Sequence, residues 1–107
     1  MPHYMHQIAF TPESWAKMVK QPQSREQAMR PMFEKLGGKL LTYWFCFGEY
    51  DAVLITELPD NATAAAACMA AAQSGTLRAL KTTPLISVEE SMEGMKKAGS
   101  AGFRPPA

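Results

Sequence analysis

Residues 47–61 read FGEYDAVLITELPDN, and the fold turns on how this stretch is divided. Gly48-Glu49 is predicted to be a hairpin turn, and residues 50–58 a strand rich in β-branched and apolar side chains. Pro59 takes the chain out of the sheet, and Asp60 is placed to cap a following helix. Before the turn, KLLTYWFCF at 39–47 is aromatic-rich and reads as the strand that pairs with it. After it, NATAAAACMAAAQ at 61–73 is a strong helix former, stopped by Ser74-Gly75.

Working outward, HYMHQIAF at 3–10 alternates like a strand, with Tyr4, His6, Ile8 and Phe10 on one parity. Thr11 can cap a helix whose first position is Pro12, and Glu13 suits its positive end. Gln21, Pro22 and Gln23 break that helix. Ser24 and Gln27 have capping-box spacing and restart it, with Met29, Met32, Phe33 and Leu36 at helical intervals. Pro31 is expected to kink or divide this second segment, and Gly37-Gly38 to end it. A fourth strand lies within TLRALKTTPLISV, and Ser87 with Glu90 opens a short last helix.

The order is β-α-β-β-α-β with an added C-terminal helix: an α+β, ferredoxin-like plan of four antiparallel strands with helices on one face. The expected organisation is a single domain over residues 1–98 and a loose Gly/Pro-rich tail over 99–107. A chain of 107 residues with 47% apolar content can bury one core.

The central strands strain that plan. Leu41, Tyr43, Phe45 and Phe47 share one parity of the second strand, and Leu40, Thr42, Trp44 and Cys46 the other. In the third strand Val53 and Ile55 oppose Ala52 and Leu54. Both sheet faces therefore want cover, and a second copy docking sheet to sheet is the simplest source. A homodimer or higher oligomer is expected, which a charged residue at Trp44 or Phe45 should dissociate or unfold. The alanine-rich helix is expected to lie tight on its sheet, or else to offer a second assembly surface.

Composition narrows function by exclusion. The net charge is +1 and no basic stripe stands out, so nucleic acid is not an expected partner. No apolar run spans a bilayer, and MPHYMHQIAF lacks the features of a secretory signal, so the expectation is a cytoplasmic protein with no membrane partner. Cys46 and Cys68 are too few for a disulfide framework and read as buried free thiols. No ligand set has metal-binding spacing, and no nucleotide or dinucleotide motif is present, so neither metal nor cofactor is expected.

The candidate site residues each carry two readings. Tyr50 and Asp51 are a phenol and a carboxylate able to polarise a carbonyl or move a proton. Equally, Asp51 can accept backbone N–H bonds in the hairpin while Tyr50 packs its ring. His6 is a candidate base, or a hydrogen-bonded core histidine. Glu57 is a candidate acid, or one half of an ion pair with Arg78 or Lys81. Tyr43 and Phe45, with Trp44 and Phe47, line an aromatic pocket or make core and interface. The methionines Met18, Met29, Met32 and Met69 read as adaptable core filling.

The stretch GEYDAVLITELPDNATAAA resembles the signature of the GYD-domain family, small bacterial proteins named for a Gly-Tyr-Asp motif, here Gly48, Tyr50 and Asp51 with Glu49 inserted. Tyr4, Thr11-Pro12-Glu13, Arg25, Gly37-Gly38 and Pro59-Asp60 fit the same pattern, over roughly residues 4–98. The resemblance implies a dimeric α+β barrel, in which two ferredoxin-like sheets pack face to face. It supplies no reaction. The functions left open are a small-molecule-binding oligomer, a cofactor-free isomerase or monooxygenase-like enzyme, and a purely structural oligomer.

Overall fold

A computed structural model describes residues 1–107. Its elements are β1 (His3–Phe10), α1 (Pro12–Lys20), α2 (Arg25–Lys35), β2 (Lys39–Phe45), β3 (Ala52–Glu57), α3 (Asn61–Gln73), β4 (Leu77–Leu85) and α4 (Val88–Gly99). The strands form one antiparallel sheet in the order β2-β3-β1-β4. This is the ferredoxin-like arrangement expected from the element order.

Local chemistry starts each helix. Thr11, Ser24, Asp60 and Ser87 each accept a hydrogen bond from the backbone N–H three residues on. That satisfies one of the donors a helix leaves free at its first turn. Pro31 does not divide α2, which runs unbroken through it. The proline removes only the bond to the Gln27 carbonyl, and both residues lie on the exposed side, where water can replace it. Gly37 ends the segment at φ +85°. Gly38 follows where a Cβ would collide with the Glu57 carbonyl oxygen and sit 2.7 Å from Leu58 Cδ2.

The core lies between the sheet and the helices. Tyr4, Phe10, Leu40, Ala52 and Leu54 from the strands meet Phe33, Ala64 and Ala67 from the helices. Met18, Met29 and Met32 pack against it, whereas Met69 points away and is exposed. Two alanines seat α3: Ala64 and Ala67 are buried, while Ala65 and Ala66 face outward.

The second strand departs from simple alternation. Leu40 pairs with Thr56 and Thr42 with Ile55, so Leu41 bulges out of the ladder. A bulge reverses the facing of every residue on one side of it. Leu40 therefore joins Tyr43 and Phe45 on the helix face, rather than Thr42 and Trp44 on the opposite one. Arg30 Nη1 donates to the Leu40 carbonyl at 3.1 Å beside the bulge. The strands are also shorter than expected: β2 ends at Phe45 and β3 starts at Ala52, leaving Cys46–Asp51 as a connecting loop.

The other sheet face has no helix on it. Met5, Trp44, Val53, Ile55 and Ala79 lie there, with Lys81, Thr83 and Glu57 toward its margins. The Thr42 hydroxyl on this face is buried without a hydrogen-bond partner. Helix α4 buries no residue, and Val88, Met92 and Met95 are exposed along it. The radius of gyration is 17.2 Å, where a compact chain of this length would have about 13 Å. No helix is long and apolar enough to cross a membrane.

Candidate functional site

The helix face of the sheet does not close completely on its helices. Between them lies a chamber of about 290 Å³, open on one side and walled mostly by apolar side chains. Ile8 and Phe10 come from β1, Leu54 from β3, Leu77 and Leu80 from β4, and Met29, Met32 and Phe33 from α2. Alanines 67, 70 and 71 of α3 form the far wall, where short side chains leave room that leucines would fill.

Few polar groups reach this space. His6 is buried at the centre of β1, with its ring between those of Tyr4 and Phe33 at 6.4 and 6.1 Å. Its Nδ1 and Nε2 each lie 2.8 Å from a threonine hydroxyl, those of Thr82 and Thr56 respectively. Cys68 Sγ lies 3.0 Å from the same Thr82 hydroxyl, which extends the row from the sheet to α3. Burial disfavours the imidazolium and takes the His6 pKa from 6.5 to about 4. The ring is therefore neutral at pH 7, and both its nitrogens are engaged.

Arg25 and Tyr43 are the other polar pair. Arg25 stands at the first turn of α2, and its Nη2 approaches Met29 Sδ at 3.4 Å. Its Nε is buried and unpartnered, and the molecule's single ion pair joins Arg30 to Glu26. The Tyr43 hydroxyl is likewise buried and makes no hydrogen bond of good geometry. Burial raises the Tyr43 pKa, and the nearby Arg25 guanidinium opposes that rise. The phenol remains a proton donor at neutral pH.

The residues expected from sequence scatter over three places. His6 and Tyr43 line the chamber. Phe45 stands at the end of β2 in an aromatic cluster, 6.2 Å from both Phe10 and Trp15 and 5.5 Å from Tyr43. Asp51 lies near that cluster, where Oδ2 accepts from Phe10 N at 2.9 Å and Trp15 Nε1 at 3.2 Å. Its partners are thus on β1 and α1, not in its own hairpin. The Tyr50 carbonyl accepts from Cys46 Sγ at 3.2 Å, which closes the loop. Neither Tyr50 nor Asp51 lines the chamber. Glu57 ends β3 in register with His3 and Lys39. Arg78 and Lys81 lie on β4, separated from β3 by β1, so neither is its neighbour.

Sequence reasoning passed over Arg25, Cys68 and Thr82 as site residues. Arg25 had a signal: it continues the apolar face of Met29, Phe33 and Leu36 backward by one helical turn. A charged residue on that face must meet the core edge. Cys68 and Thr82 had none, because their proximity to His6 exists only across the sheet and helix.

No group of three His, Cys, Asp or Glu side chains is arranged to hold a metal ion. The arrangement offers instead a dry-walled chamber, a neutral histidine locked by threonines, and two unspent donors. A search of curated proteins finds no match to this chain. A family model for the GYD domain matches residues 4–95, and with most of the chain matched over this fold, the protein belongs to the GYD domain family.

Proposed function

We propose that the protein is a homodimeric binding domain that holds a small apolar molecule between its sheet and its helices. The observation that carries this reading is the chamber of about 290 Å³. Its size is close to the lower end of ligand sites, roughly 300–1,000 Å³, and it combines apolar walls with a few converging polar groups, as such sites do. Binding is favoured over acid–base turnover because both His6 nitrogens are held by threonines.

The dimer rests on the helix-free sheet face. Trp44, Val53 and Ile55 lie there without intramolecular cover, and α4 carries a second apolar stripe. A twofold pairing of identical faces would bury both copies of the patch at once. A reduced, cytoplasmic setting suits the two free thiols, Cys46 and Cys68.

Two measurements test the binding reading. Native mass spectrometry of protein purified from its own source should show extra mass released on denaturation. Titration with 1-octanol and 2-phenylethanol, followed by amide NMR shifts, should move residues around the chamber. Ala71→Phe, which places a ring in that space, should abolish the shifts. Shifts confined to other surfaces would sink the proposal.

A further inference from the structure

We infer that the chamber selects a monocarboxylate with an apolar body, its head held by Arg25 and Tyr43. The inference deepens the binding reading above and depends on it.

The argument begins with an unsettled charge. Arg25 is half-buried, and a guanidinium drawn even partly out of water is costly where its N–H groups stay unpaired. Arg25 lines the chamber, and no carboxylate pairs with it. Its one side-chain hydrogen bond of full geometry is to a thioether, a weak acceptor, at 3.4 Å, and its other near neighbour is the Tyr43 hydroxyl, itself a donor. The buried Nε has no partner. Buried polar groups left open in a native structure call for an explanation, and a ligand supplies one.

The second donor lies beside it. The Tyr43 hydroxyl lines the same chamber, is buried, and makes no hydrogen bond of good geometry, its only near partner being the Arg25 guanidinium. It is close enough to Arg25 for the guanidinium to act on its ionisation. A guanidinium fork and a phenol O–H together present donors only. The matching group is an acceptor bearing negative charge, and a planar carboxylate fits the fork with two parallel bonds.

The walls define the rest of the ligand. Beyond these donors the lining is mostly apolar, Ile8, Met29, Met32, Phe33, Leu54 and Leu80 among it, with His6 neutral and satisfied and the Ser74 and Thr76 hydroxyls bonded to each other at 2.7 Å. No acidic side chain lines the chamber, so nothing there repels an anion, and nothing there would hold a cation. At about 30 Å³ of liquid volume per water-sized unit, the 290 Å³ space takes roughly ten non-hydrogen atoms. Methionines on one wall can adjust to either a chain or a ring.

The test uses two shapes and two head groups: octanoate against 1-octanol, and phenylacetate against 2-phenylethanol, each by calorimetric or NMR titration. The expected result is that at least one carboxylate binds about tenfold or more tightly than its alcohol, the range of a charge-assisted hydrogen bond. Arg25→Gln should reduce that preference to about threefold or less while alcohol binding stays within about twofold. Arg25→Lys should restore part of it, because it keeps the charge without the fork. Tyr43→Phe should weaken carboxylate binding severalfold and leave the alcohol unchanged. Alcohols binding as well as carboxylates would overturn the inference and leave the chamber reading standing. Failure of all four probes would overturn both. A preference that survives Arg25→Gln would remove Arg25 as the selecting group, and Tyr43→Phe reports independently if that variant does not fold.

Discussion

Asp51 and Trp15 stand 36 positions apart in the chain and meet in a 3.2 Å hydrogen bond from the indole Nε1 to Oδ2. The same oxygen accepts from Phe10 N at 2.9 Å, and Asp51 N donates to the Ile8 carbonyl at 2.8 Å. One residue thus ties the start of β3 to the end of β1 and to α1. The motif aspartate is a clasp between segments, at the aromatic end of the sheet. Asp51→Ala should lower stability by about 2–3 kcal/mol, since it strands a backbone donor and an indole and removes a charged acceptor. Asp51→Asn retains an acceptor oxygen and should lose about 1 kcal/mol. Tyr50→Phe, which keeps the carbonyl that Cys46 uses, should be close to neutral. Denaturant midpoints of the three variants check this, and an Ala variant as stable as the parent would refute the clasp.

His6 makes stability depend on pH. Its folded pKa of about 4 lies below the ordinary 6.5, so the unfolded chain binds more protons between those values. Stability from keeping this ring neutral is full above about pH 6.5 and falls as pH drops toward 4. The loss should be on the order of 2–3 kcal/mol by pH 4. His6→Gln cannot titrate, so it should be less stable than the parent at pH 8 and should lose that deficit as the pH falls. Parallel unfolding curves at pH 8 and pH 4.5 measure it. An equal pH response in both proteins would contradict the assignment.

Two glycines should respond oppositely to alanine. At Gly38 a Cβ meets the Glu57 carbonyl and Leu58, so strand β3 or the α2–β2 connection must shift. Gly38→Ala should destabilise by about 2 kcal/mol or more, as overpacking does. At Gly94, inside α4, a Cβ meets nothing within 4 Å. Gly94→Ala should raise the helicity of α4 and stabilise it by about 0.5–1 kcal/mol. Thermal melts followed by circular dichroism separate the two.

The proposed dimer makes a mass prediction. Light scattering at micromolar concentration should give twice the chain mass of 11.8 kDa. Ile55→Glu places a charge in the middle of the helix-free face without touching the core, so it should yield a folded monomer. A parent protein that is monomeric at that concentration would end the sheet-to-sheet reading.

Much of the fold was legible because its signals are local. Thr11, Ser24, Asp60 and Ser87 act on backbone three residues away, and the alternation of Tyr4, His6, Ile8 and Phe10 is a property of one strand. Such effects need no knowledge of the rest of the chain. Element order followed from them, and the ferredoxin-like plan followed from the order. Tertiary structure alone decided three matters. The bulge at Leu41 shifts the β2–β3 register by one residue, and that placed Leu40 on the helix face. Asp51 found its donors on β1 and α1 rather than in its hairpin, since Phe10 and Trp15 approach it only once the sheet is paired. The chamber needed α2 and α3 to stand over the sheet at a distance set by methionines on one side and alanines on the other. Only that spacing put Arg25 beside Tyr43, 18 positions along the chain, with buried donors that neither residue's neighbours in sequence can satisfy.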